Sequence, residues 1–597
     1  MTLAPFGRRL CAVSENRDSG GYRVFSLLDR DGPEPLAGQF YMLATAERWD
    51  GDGGRPFLPR AISVAATAPA AAGIRLDFLV EGIGPGTDRL CALQPGEEVW
   101  VTGPLGNGFA APHEVSAVAA GAILVGGGIG VAPLAVLRRR LAEHGVPLRV
   151  LLGFRDAAHS GGRELFCGPG GDLCPEVRLA SEDGHAGHRG YVTDLLATLL
   201  AGDDAGSAVV YSCGPPTMLE AVRSLCDLHE VPGQLAEESP MACGFGACFG
   251  CAVPRPGGDG YIRLCVDGPV TPAGGVAVGG PRGAEDAEHP SAEGATAATG
   301  PADRDAPVDL CGIQLRHPVV NASGTYDAIA ARKVFGDALL EDFPFSAFVS
   351  KTITEEPRAG NAPRRLWETP SGMLNSIGLP NKGLAGFLAG DLPQLAELPV
   401  PLIVSVMASS REGFARLVEA VAGRDEVAAI ELNVSCPNVH SGLIVGEQPT
   451  ETEALLETLR PLTAKPLIVK LTPNVADPAA VAVAAEEGGA DAVSLINTLK
   501  GGALDPASGE PALTAGHGGL SGPAVRPVAL HQLRSVRAAV GVPVVGMGGI
   551  RCGADAAEFL AAGAVVVAVG TESFRDPRAG ARVAAELQNT RYGGVAA

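Results

Sequence analysis

The chain has 597 residues, and at roughly 100–200 residues per domain we expect three or more domains. Hydrophobic residues make up 46% of the chain and charged residues 19%, a globular composition that excludes global disorder. The 67 acidic residues outnumber the 46 basic ones, and the resulting net charge of −21 disfavours a nucleic-acid-binding role.

The N-terminal residues and the cysteines predict a cytoplasmic protein that is not bound to a membrane. The first ten residues, MTLAPFGRRL, lack the apolar core of a signal peptide. Residues 115–137 carry no charge and are long enough to span a bilayer, but they contain a glycine turn and Pro133, so we predict a strand, a turn and a helix there. Thirteen cysteines are an odd number, and four of them lie close together, which favours a reduced compartment with a metal centre over disulfides.

The first 235 residues predict two domains. The sequence pattern of residues 1–112 predicts an all-β domain, with turn signals such as Gly20-Gly21 and Pro95-Gly96. Residues 113–235 predict an α/β domain, in which an apolar strand at 123–125 leads into the glycine turn 126–130. A glycine turn between a strand and a helix suits a pyrophosphate at the helix N-terminus. The turn lacks the full Rossmann spacing, so on its own it is a weak indication.

Residues 236–272 predict an iron–sulfur cluster. Cys243, Cys248, Cys251 and Cys265 have the spacing C-x4-C-x2-C-x13-C, which is the plant-type [2Fe–2S] ligand pattern. A structural zinc site is the alternative, but tetrahedral zinc more often uses two C-x2–4-C pairs. The glycines between the ligands allow the backbone to wrap tightly and to direct N–H groups at the sulfurs.

The second half of the chain predicts a (β/α)8 TIM barrel. Residues 273–306 have no periodicity and few large apolar residues, so we predict a flexible linker there. In residues 307–597 helical stretches alternate with eight candidate strands, at 319–321, 347–351, 402–406, 429–433, 467–471, 492–496, 542–546 and 565–569. Because the carboxyl ends of barrel strands form the active face, five polar residues at strand ends are site candidates: Ser323, Lys351, Asn433, Lys470 and Asn497.

Motifs on both sides of the linker resemble one enzyme family, the NAD-dependent (class 1B) dihydroorotate dehydrogenases. The first half resembles the electron-transfer subunit, a ferredoxin reductase-like flavoprotein, at 38–40, 60–63, 86–87, 103–109, 126–130, 213–218, the four cysteines and 267–269. The second half resembles the catalytic subunit at 322–324, 371–379, 431–438, 469–471, 496–498, 519–522, 546–549 and 570–571. The resemblance implies that two subunits are fused here, with the electron-transfer part first.

For the second half, the resemblance implies an FMN-binding barrel that oxidises dihydroorotate. The catalytic base is implied to be Cys436, under a loop at 439–449. The implied substrate-binding residues are Lys351, Asn375, Ser376, Ile377, Gly378, Leu379, Asn433, Asn438, Asn497 and Thr498. The implied FMN contacts are Ser323, Lys351, Thr352, Ser405, Asn433, Lys470, Ile496, Gly522, Gly548, Gly549, Gly570 and Thr571. Ser405 departs from the family, which usually has Asn at this position, and we expect a weaker flavin contact from the shorter side chain.

For the first half, the resemblance implies an FAD-binding β-barrel and an NAD-binding domain. Arg60 would bind the FAD pyrophosphate through its guanidinium, with Ala61, Ile62 and Ser63 beside the flavin and Gly86 and Thr87 at the phosphates. The implied NAD contacts are Gly126, Gly128, Gly130, Cys213 and Gly214. Because no basic pair for a 2′-phosphate is evident, NAD is favoured over NADP.

The predicted function is therefore the oxidation of (S)-dihydroorotate to orotate in de novo pyrimidine biosynthesis. The implied electron route runs from FMN to the [2Fe–2S] cluster, then to FAD and to NAD⁺. Two alternatives remain open: a dihydropyrimidine dehydrogenase-like reductase, and an electron-transfer flavoprotein in which the barrel only serves for docking. The expected partners are small molecules and a second copy of the chain, because the family's catalytic subunits dimerise through their barrels.

Overall fold

The fold is described from a computed structural model over residues 3–49, 56–168, 171–202, 207–255, 260–273, 307–435 and 445–592. Three sequence-based predictions concern residues outside these ranges: Cys436, Asn438, and nearly all of the linker 273–306. Most of the predicted loop at 439–449 also lies outside them. Among the described residues, no helix has both the length and the apolar character that crossing a bilayer requires.

The chain begins with a closed, antiparallel barrel of six strands in the order β1-β2-β5-β4-β3-β6. One helix, α1, lies between β5 and β6 and begins at Pro85, a residue favoured in the first helical turn. The elements are β1 Arg9–Ser19, β2 Tyr22–Asp29, β3 Phe40–Thr45, β4 Arg60–Ala70, β5 Gly73–Val80, α1 Pro85–Cys91 and β6 Glu98–Leu105. The all-β expectation for this part of the chain is confirmed.

An α/β unit follows, with a seven-stranded sheet in the order β10-β9-β8-β7-β11-β12-β15. All its neighbours are parallel except β15, which pairs antiparallel with β12 after the cysteine segment. The elements are α2 Pro112–Val115, β7 Gly121–Gly127, α3 Val131–Glu143, β8 Leu148–Phe154, β9 Val177–Ser181, β10 His188–Arg189, α4 Val192–Leu200, β11 Ala208–Cys213, α5 Pro216–Leu228, β12 Gly233–Ala236, β13 Ala252–Pro254, β14 Tyr261–Arg263, α6 Leu264–Asp267 and β15 Val270–Pro272. The strand, turn and helix predicted within 115–137 are β7, a short turn and α3.

The second half contains eight parallel strands in the order β18-β29-β28-β25-β24-β23-β22-β19, with helices around them. Its elements are β16 Val308–Leu310, β17 Ile313–Leu315, β18 Val319–Asn321, α7 Ala328–Phe335, α8 Ala338–Glu341, β19 Phe348–Val349, β20 Leu366–Thr369, β21 Gly372–Asn375, α9 Gly383–Gly386, α10 Leu392–Leu395, β22 Leu402–Val406, α11 Arg411–Ala422, β23 Val427–Asn433, α12 Pro449–Leu459, β24 Leu467–Lys470, α13 Pro478–Glu487, β25 Ala492–Leu495, β26 Leu499–Gly501, β27 Gly518–Ser521, α14 Arg526–Ala539, β28 Val544–Met547, α15 Gly553–Ala561, β29 Val566–Val569 and α16 Ala579–Tyr592. The predicted TIM barrel is confirmed, and each predicted strand matches within two residues at either end.

The seam between β18 and β19 is closed by a side chain. The Asn321 carboxamide is fully buried; it donates to the Val349 carbonyl at 2.7 Å and accepts from the Val349 N–H at 2.8 Å. The Ser346 N–H also donates to the Val319 carbonyl at 3.0 Å. Asn321 therefore replaces the ladder hydrogen bonds that a longer β19 would make.

A four-stranded sheet in the order β20-β21-β27-β26 belongs to the second half but lies outside the eight-stranded ring. The sequence analysis assigned no strands here. Each strand has only three or four residues, and β27 is drawn from a Gly-rich stretch more than 140 residues after β21. Such pairing depends on tertiary contacts rather than on local periodicity.

The two halves of the chain share one hydrophobic core. The same cluster of buried side chains includes the four cysteines of the first half and the barrel residues Tyr326 and Phe335. The Phe245 ring lies 5.9 Å from the Tyr326 ring and 5.6 Å from the Phe335 ring, in tilted contacts. The cysteine segment is thus packed against the barrel.

Candidate active site and cluster site

A cavity of about 440 Å³ lies at the carboxyl ends of the barrel strands. Strands β23 and β24 end at the predicted residues Asn433 and Lys470. Lys351 and Asn497 lie two residues after the ends of β19 and β25, and all four side chains line this cavity. This is the face on which TIM-barrel active sites are built.

Lysines are concentrated in the cavity. The chain has only six lysines, all in the second half, and three of them line the cavity: Lys351, Lys470 and Lys500. The Lys470 ammonium donates to the Ser323 hydroxyl at 2.9 Å. Burial lowers the pKa of Lys351 to about 8, and the nearby carboxylate of Asp327 only partly opposes this shift. The cavity therefore suits an anionic ligand.

The carboxamides of the cavity have fixed orientations. Asn375 donates to the Gly519 carbonyl at 3.1 Å, and Asn497 donates to the Ser435 hydroxyl at 3.0 Å. Asn433 is buried and directs its amide at the Thr352 hydroxyl, at 3.3 Å. A carboxamide both donates and accepts, so an oriented set can pair with the amide edges of a planar heterocycle.

Glycines form a narrow cradle at one end of the cavity. Gly522, Gly548 and Gly549 have φ of +97°, +127° and +79°, which side chains other than glycine rarely adopt. A Cβ atom on Gly549 would lie 2.9 Å from the Gly522 carbonyl oxygen. Gly548 and Gly549 follow β28, and Gly522 follows β27 of the outer sheet. TIM barrels commonly bind phosphate after the last two barrel strands, of which β28 is one, so the residues present fit the phosphate of a flavin mononucleotide.

The structure brings nearly all predicted barrel-site residues to one cavity wall. The predicted residues that line it are Ser323, Lys351, Thr352, Asn375, Ser376, Ile377, Gly378, Leu379, Asn433, Lys470, Ile496, Asn497, Thr498, Gly522, Gly548, Gly549, Gly570 and Thr571. Cys436 and Asn438 lie outside the described residues, although Ser435, which precedes Cys436, lines the cavity.

Ser405 is not brought to the cavity wall. Its side chain is fully buried within β22; its hydroxyl lies 2.9 Å from the Thr352 hydroxyl and donates to Glu431 at 2.9 Å. Its neighbour Thr352 does line the cavity. Thr352 thus lies between Ser405 and the cavity.

The four predicted cluster ligands are buried and form two pairs. The Sγ atoms of Cys243 and Cys248 are 3.4 Å apart, and those of Cys251 and Cys265 are 3.1 Å apart. The N–H groups of Cys248 and Gly250 are directed at the sulfurs of Cys243 and Cys248, both at 3.4 Å. Within the described ranges, no group of three or more His, Cys, Asp or Glu side chains is arranged for a single metal ion. Two thiol pairs fit the two irons of a [2Fe–2S] cluster.

Two residues of the first half line the barrel cavity. Cys248 is one of the predicted cluster ligands, and the other residue is the fully buried Phe57. The ring of Phe249, next to Cys248 in sequence, lies 4.2 Å from the Lys351 ammonium. The cluster site and the barrel cavity are therefore in direct contact.

A second cavity, of about 750 Å³, lies in the α/β unit of the first half. Gly128, Gly130 and Gly214 line it, as predicted for a nucleotide site, whereas Gly126 and Cys213 are buried in β7 and β11 and do not. Glu81 and Glu238 also line this cavity, and burial raises the pKa of Glu238.

The residues predicted to bind FAD lie at the start of β4 and of α1. The Arg60 guanidinium packs against Gly86. A Cβ atom added to Gly86 would lie 2.2 Å from the Nε atom of Arg60. The same guanidinium donates to the barrel residue Glu368 at 2.6 Å. Ala61, Ile62 and Ser63 follow in β4, and the Thr87 hydroxyl donates to the Gly84 carbonyl at 3.2 Å. None of these residues lines the two cavities described above.

Comparisons with known proteins assign the family. The family model "Dihydroorotate dehydrogenase" matches residues 306–590, and "Iron-sulfur cluster binding domain of dihydroorotate dehydrogenase B" matches residues 238–277. The catalytic subunit of dihydroorotate dehydrogenase B (NAD(+)) from Geobacter metallireducens is 44% identical over 288 residues, which is 48% of this chain and 92% of that protein. The chain belongs to the dihydroorotate dehydrogenase B family.

Other members of the family have similar sequence identity and coverage. The catalytic subunit from Geobacter sulfurreducens is 43% identical over 48% of this chain and 92% of that protein, and the one from Desulforudis audaxviator is 45% identical over 47% and 91%. These relatives confirm the predicted family and cover the barrel, while the match to the cluster-binding domain lies in the first half.

One solved structure, described as "Insights into flavin-based electron bifurcation via the NADH-dependent reduced ferredoxin-NADP oxidoreductase structure", aligns with a TM-score of 0.36 at 24% identity. It covers 44% of this chain and 88% of that chain.

Sequence reasoning missed several residues of this family member's cavity. Asn474 follows β24, donates to the Thr498 carbonyl at 3.1 Å and lines the cavity, so the rule of polar residues at strand ends could have found it. Asn361 donates to the Ser376 hydroxyl at 2.9 Å, but no periodic element marks its position. Phe57, which lines the cavity, could not be found, and neither could its partner Glu368 outside the cavity wall, because their contact joins parts of the chain about 310 residues apart.

Proposed function

We propose that this chain oxidises (S)-dihydroorotate to orotate with NAD⁺ as electron acceptor, as a step of pyrimidine biosynthesis. The proposal rests on family membership and on the donor set of the barrel cavity. The observation that carries it is that Cys248, a predicted cluster ligand, lines the same cavity as the asparagine and lysine residues. A pocket for an oxidisable substrate thus adjoins a site for a one-electron carrier.

The barrel cavity would hold FMN as a hydride acceptor, the four cysteines would hold a [2Fe–2S] cluster as a one-electron carrier, and the site beside Arg60 would hold FAD as the donor of an electron pair to NAD⁺. In this proposal the glycine cradle binds the FMN phosphate, and Lys351 and Lys470 place positive charge beside the flavin. A cation there favours the additional negative charge of a reduced flavin.

In the proposed mechanism, the chain's residues orient the substrate and remove a proton. Asn375, Asn433 and Asn497 would pair with the amide edges and the carboxylate of dihydroorotate. Cys436 would take the proton from C5, since a thiol with a pKa near 8.5 needs only a modest downward shift to act as a base near neutral pH. Its neighbour Ser435 lines the cavity, which supports this assignment.

The first half would supply the outlet for the electrons. The 750 Å³ cavity with Gly128, Gly130 and Gly214 is the proposed NAD site. The turn between β5 and α1 and the start of β4, with Arg60 and Gly86, are the proposed FAD site. A homodimer that forms through the barrels, and a cytoplasmic location, complete the proposal.

The experiment that tests this function is a turnover measurement on the purified full chain after reconstitution with FMN, FAD, iron and sulfide. We expect dihydroorotate and NAD⁺ to give orotate and NADH in equal amounts. Reduction of NAD⁺ without orotate formation, or no reaction with dihydroorotate, would contradict the proposal.

A further inference from the structure

One β-hairpin of the barrel half, formed by β20 and β21, contacts three sites at once. The two strands pair antiparallel, with Leu366 opposite Asn375 and Glu368 opposite Met373. Leu366, Met373 and Asn375 line the barrel cavity. The hairpin therefore forms part of the proposed substrate site.

The same hairpin contacts the cysteine segment. Leu366 packs directly on Gly250. A Cβ atom added to Gly250 would lie 1.9 Å from the Cδ1 atom of Leu366. The buried Arg365 donates to the Phe249 carbonyl at 3.3 Å. Gly250 and Phe249 lie between the predicted ligands Cys248 and Cys251, so the position of the hairpin and the position of the cluster site depend on each other.

The third contact joins the hairpin to residues 57–60, which we call the bridging loop. One carboxylate oxygen of Glu368 accepts from the N–H groups of Phe57 at 2.7 Å and Leu58 at 2.5 Å, and the other accepts from the Arg60 guanidinium at 2.6 Å. The Arg60 guanidinium also donates to the Leu58 carbonyl at 2.6 Å. Bidentate, charge-assisted contacts of this kind fix both distance and orientation.

A second barrel residue binds the bridging loop from another side. The Arg575 guanidinium donates to the Phe57 carbonyl at 3.0 Å and lies 4.8 Å from the centre of the Phe57 ring. The bridging loop runs directly into β4, the strand of the proposed FAD site. Because Phe57 lines the barrel cavity and Arg60 begins β4, four consecutive residues connect the two proposed flavin sites.

We propose that Glu368 is a positioning residue that sets the distance between the barrel cavity and the FAD strand of the first half. This inference rests on the proposed function, since it concerns how electrons leave the barrel. Glu368 contacts neither substrate nor NAD⁺ in this account; it acts through the bridging loop. Its loss changes the transfer between the two flavin sites and leaves the chemistry at each end intact.

The test uses Glu368→Gln in the reconstituted full chain. A carboxamide has one acceptor oxygen and an NH₂ group that cannot accept from Arg60 or from the loop N–H groups. We expect dihydroorotate-dependent NAD⁺ reduction to fall several-fold, because electron transfer slows as the distance between the two carriers grows. Anaerobic reduction of FMN by dihydroorotate, and NADH oxidation by ferricyanide at the FAD end, are expected to stay within about twofold of the unsubstituted chain.

Hydrogen exchange supplies a readout that does not depend on turnover. The N–H groups of Phe57 and Leu58 are expected to exchange faster in Glu368→Gln, because their shared acceptor becomes an uncharged carboxamide oxygen and the NH₂ group beside it cannot accept from Arg60. The matched control is Glu355→Gln, which removes another bidentate carboxylate–arginine pair of the barrel, to Arg416, with a similar side-chain exposure of 32% against 27% for Glu368. The control should change neither the exchange of the bridging loop nor turnover.

The outcomes separate the inference from the proposed function. Unchanged turnover and unchanged exchange in Glu368→Gln would overturn the inference, and so would an equal loss of both half-reactions, which indicates general unfolding. If Glu368→Gln is insoluble, Glu368→Asp, which retains the charge on a shorter side chain, should give a smaller loss confined to the same step. If the unsubstituted chain forms no orotate, the proposed function fails, while the exchange measurement still tests the contact.

Discussion

At the scale of single residues, the barrel cavity combines oriented carboxamides with a small number of cations. The Asn375 side chain has one hydrogen bond, to Gly519, whereas Asn433 and Asn497 each donate one hydrogen bond and accept one from the protein. Because a carboxamide has two N–H donors and an oxygen with two lone pairs, each side chain retains a donor and an acceptor site for a ligand. The lysines supply the charge that a carboxylate and a flavin phosphate require. This division of roles leaves proton removal to one further group, which we assign to Cys436.

Replacing the proposed base tests that assignment. We expect Cys436→Ala to abolish dihydroorotate oxidation, by about 100-fold or more, because a positioned base contributes that much to proton transfer. Flavin content should be unchanged, since the thiol is not assigned to flavin binding. Rapid-mixing absorbance of FMN after addition of dihydroorotate measures the rate. Cys552→Ala is the control, and normal reduction in Cys436→Ala would exclude Cys436 as the base.

The lowered pKa of Lys351 gives a prediction on pH dependence. Below about pH 8 the side chain is charged, and as the pH rises through 8 it loses its proton, because burial penalises the ammonium. In FMN-free protein with ¹³C-methylated lysines, we expect the signal of Lys351 to titrate near pH 8. Bound FMN should raise that midpoint, since an anion favours the charged form.

Two comparisons decide this prediction. Lys351→Arg should remove the signal that titrates near pH 8 and leave the other five signals in place. That result would assign the signal to Lys351. Six signals that all titrate near the ordinary lysine value would show that Lys351 is not desolvated.

At the scale of elements, the seam of the barrel depends on Asn321. Its carboxamide is the acceptor and the donor for the backbone of Val349, because β19 contains only two residues. Removing it leaves a buried N–H and a buried carbonyl without partners. The side chain therefore contributes to closure rather than to binding.

Asn321→Leu should destabilise the barrel by about 2–4 kcal/mol, the cost of leaving two buried backbone groups unpaired. Urea unfolding followed by circular dichroism measures this difference. Gln394→Leu, at an exposed position on α10, is the control and should change stability by no more than about 0.5 kcal/mol. Equal effects of the two substitutions would contradict the role given to Asn321.

Some of the strands could be predicted from the sequence, and others could not. The barrel strands were found because they are short runs rich in β-branched residues, and polar residues such as Lys470, the last residue of β24, mark the ends of several of them. Of the hairpin, only β21 fell within a recognised motif, 371–379, and neither strand was predicted, since the pairing of β21 with β27 is set by tertiary contacts. Ser405 was assigned to the flavin by analogy, and the structure shows Thr352 between it and the cavity.

At the scale of the whole molecule, the two halves pack around the cysteine segment. Gly246, with φ of +92°, lies so close to the barrel that a Cβ atom would be 2.5 Å from the Ala330 Cβ. Arg263 of the first half forms an ion pair with Asp327 of the second at 2.7 Å. The cysteine pattern predicted the cluster site, but its contact with the barrel involves residues that are far apart in sequence. The molecule brings the cavity, the cluster site and the bridging loop together at one interface.

The central claim is that one chain conducts electrons from a dihydroorotate pocket to NAD⁺ through an iron–sulfur site. The most direct measurement is anaerobic addition of dihydroorotate to the reconstituted full chain, with absorbance recorded for both flavins and the cluster. We predict that all three chromophores bleach and that NAD⁺ then restores them. Bleaching of FMN alone, with the cluster and FAD remaining oxidised, would contradict the account.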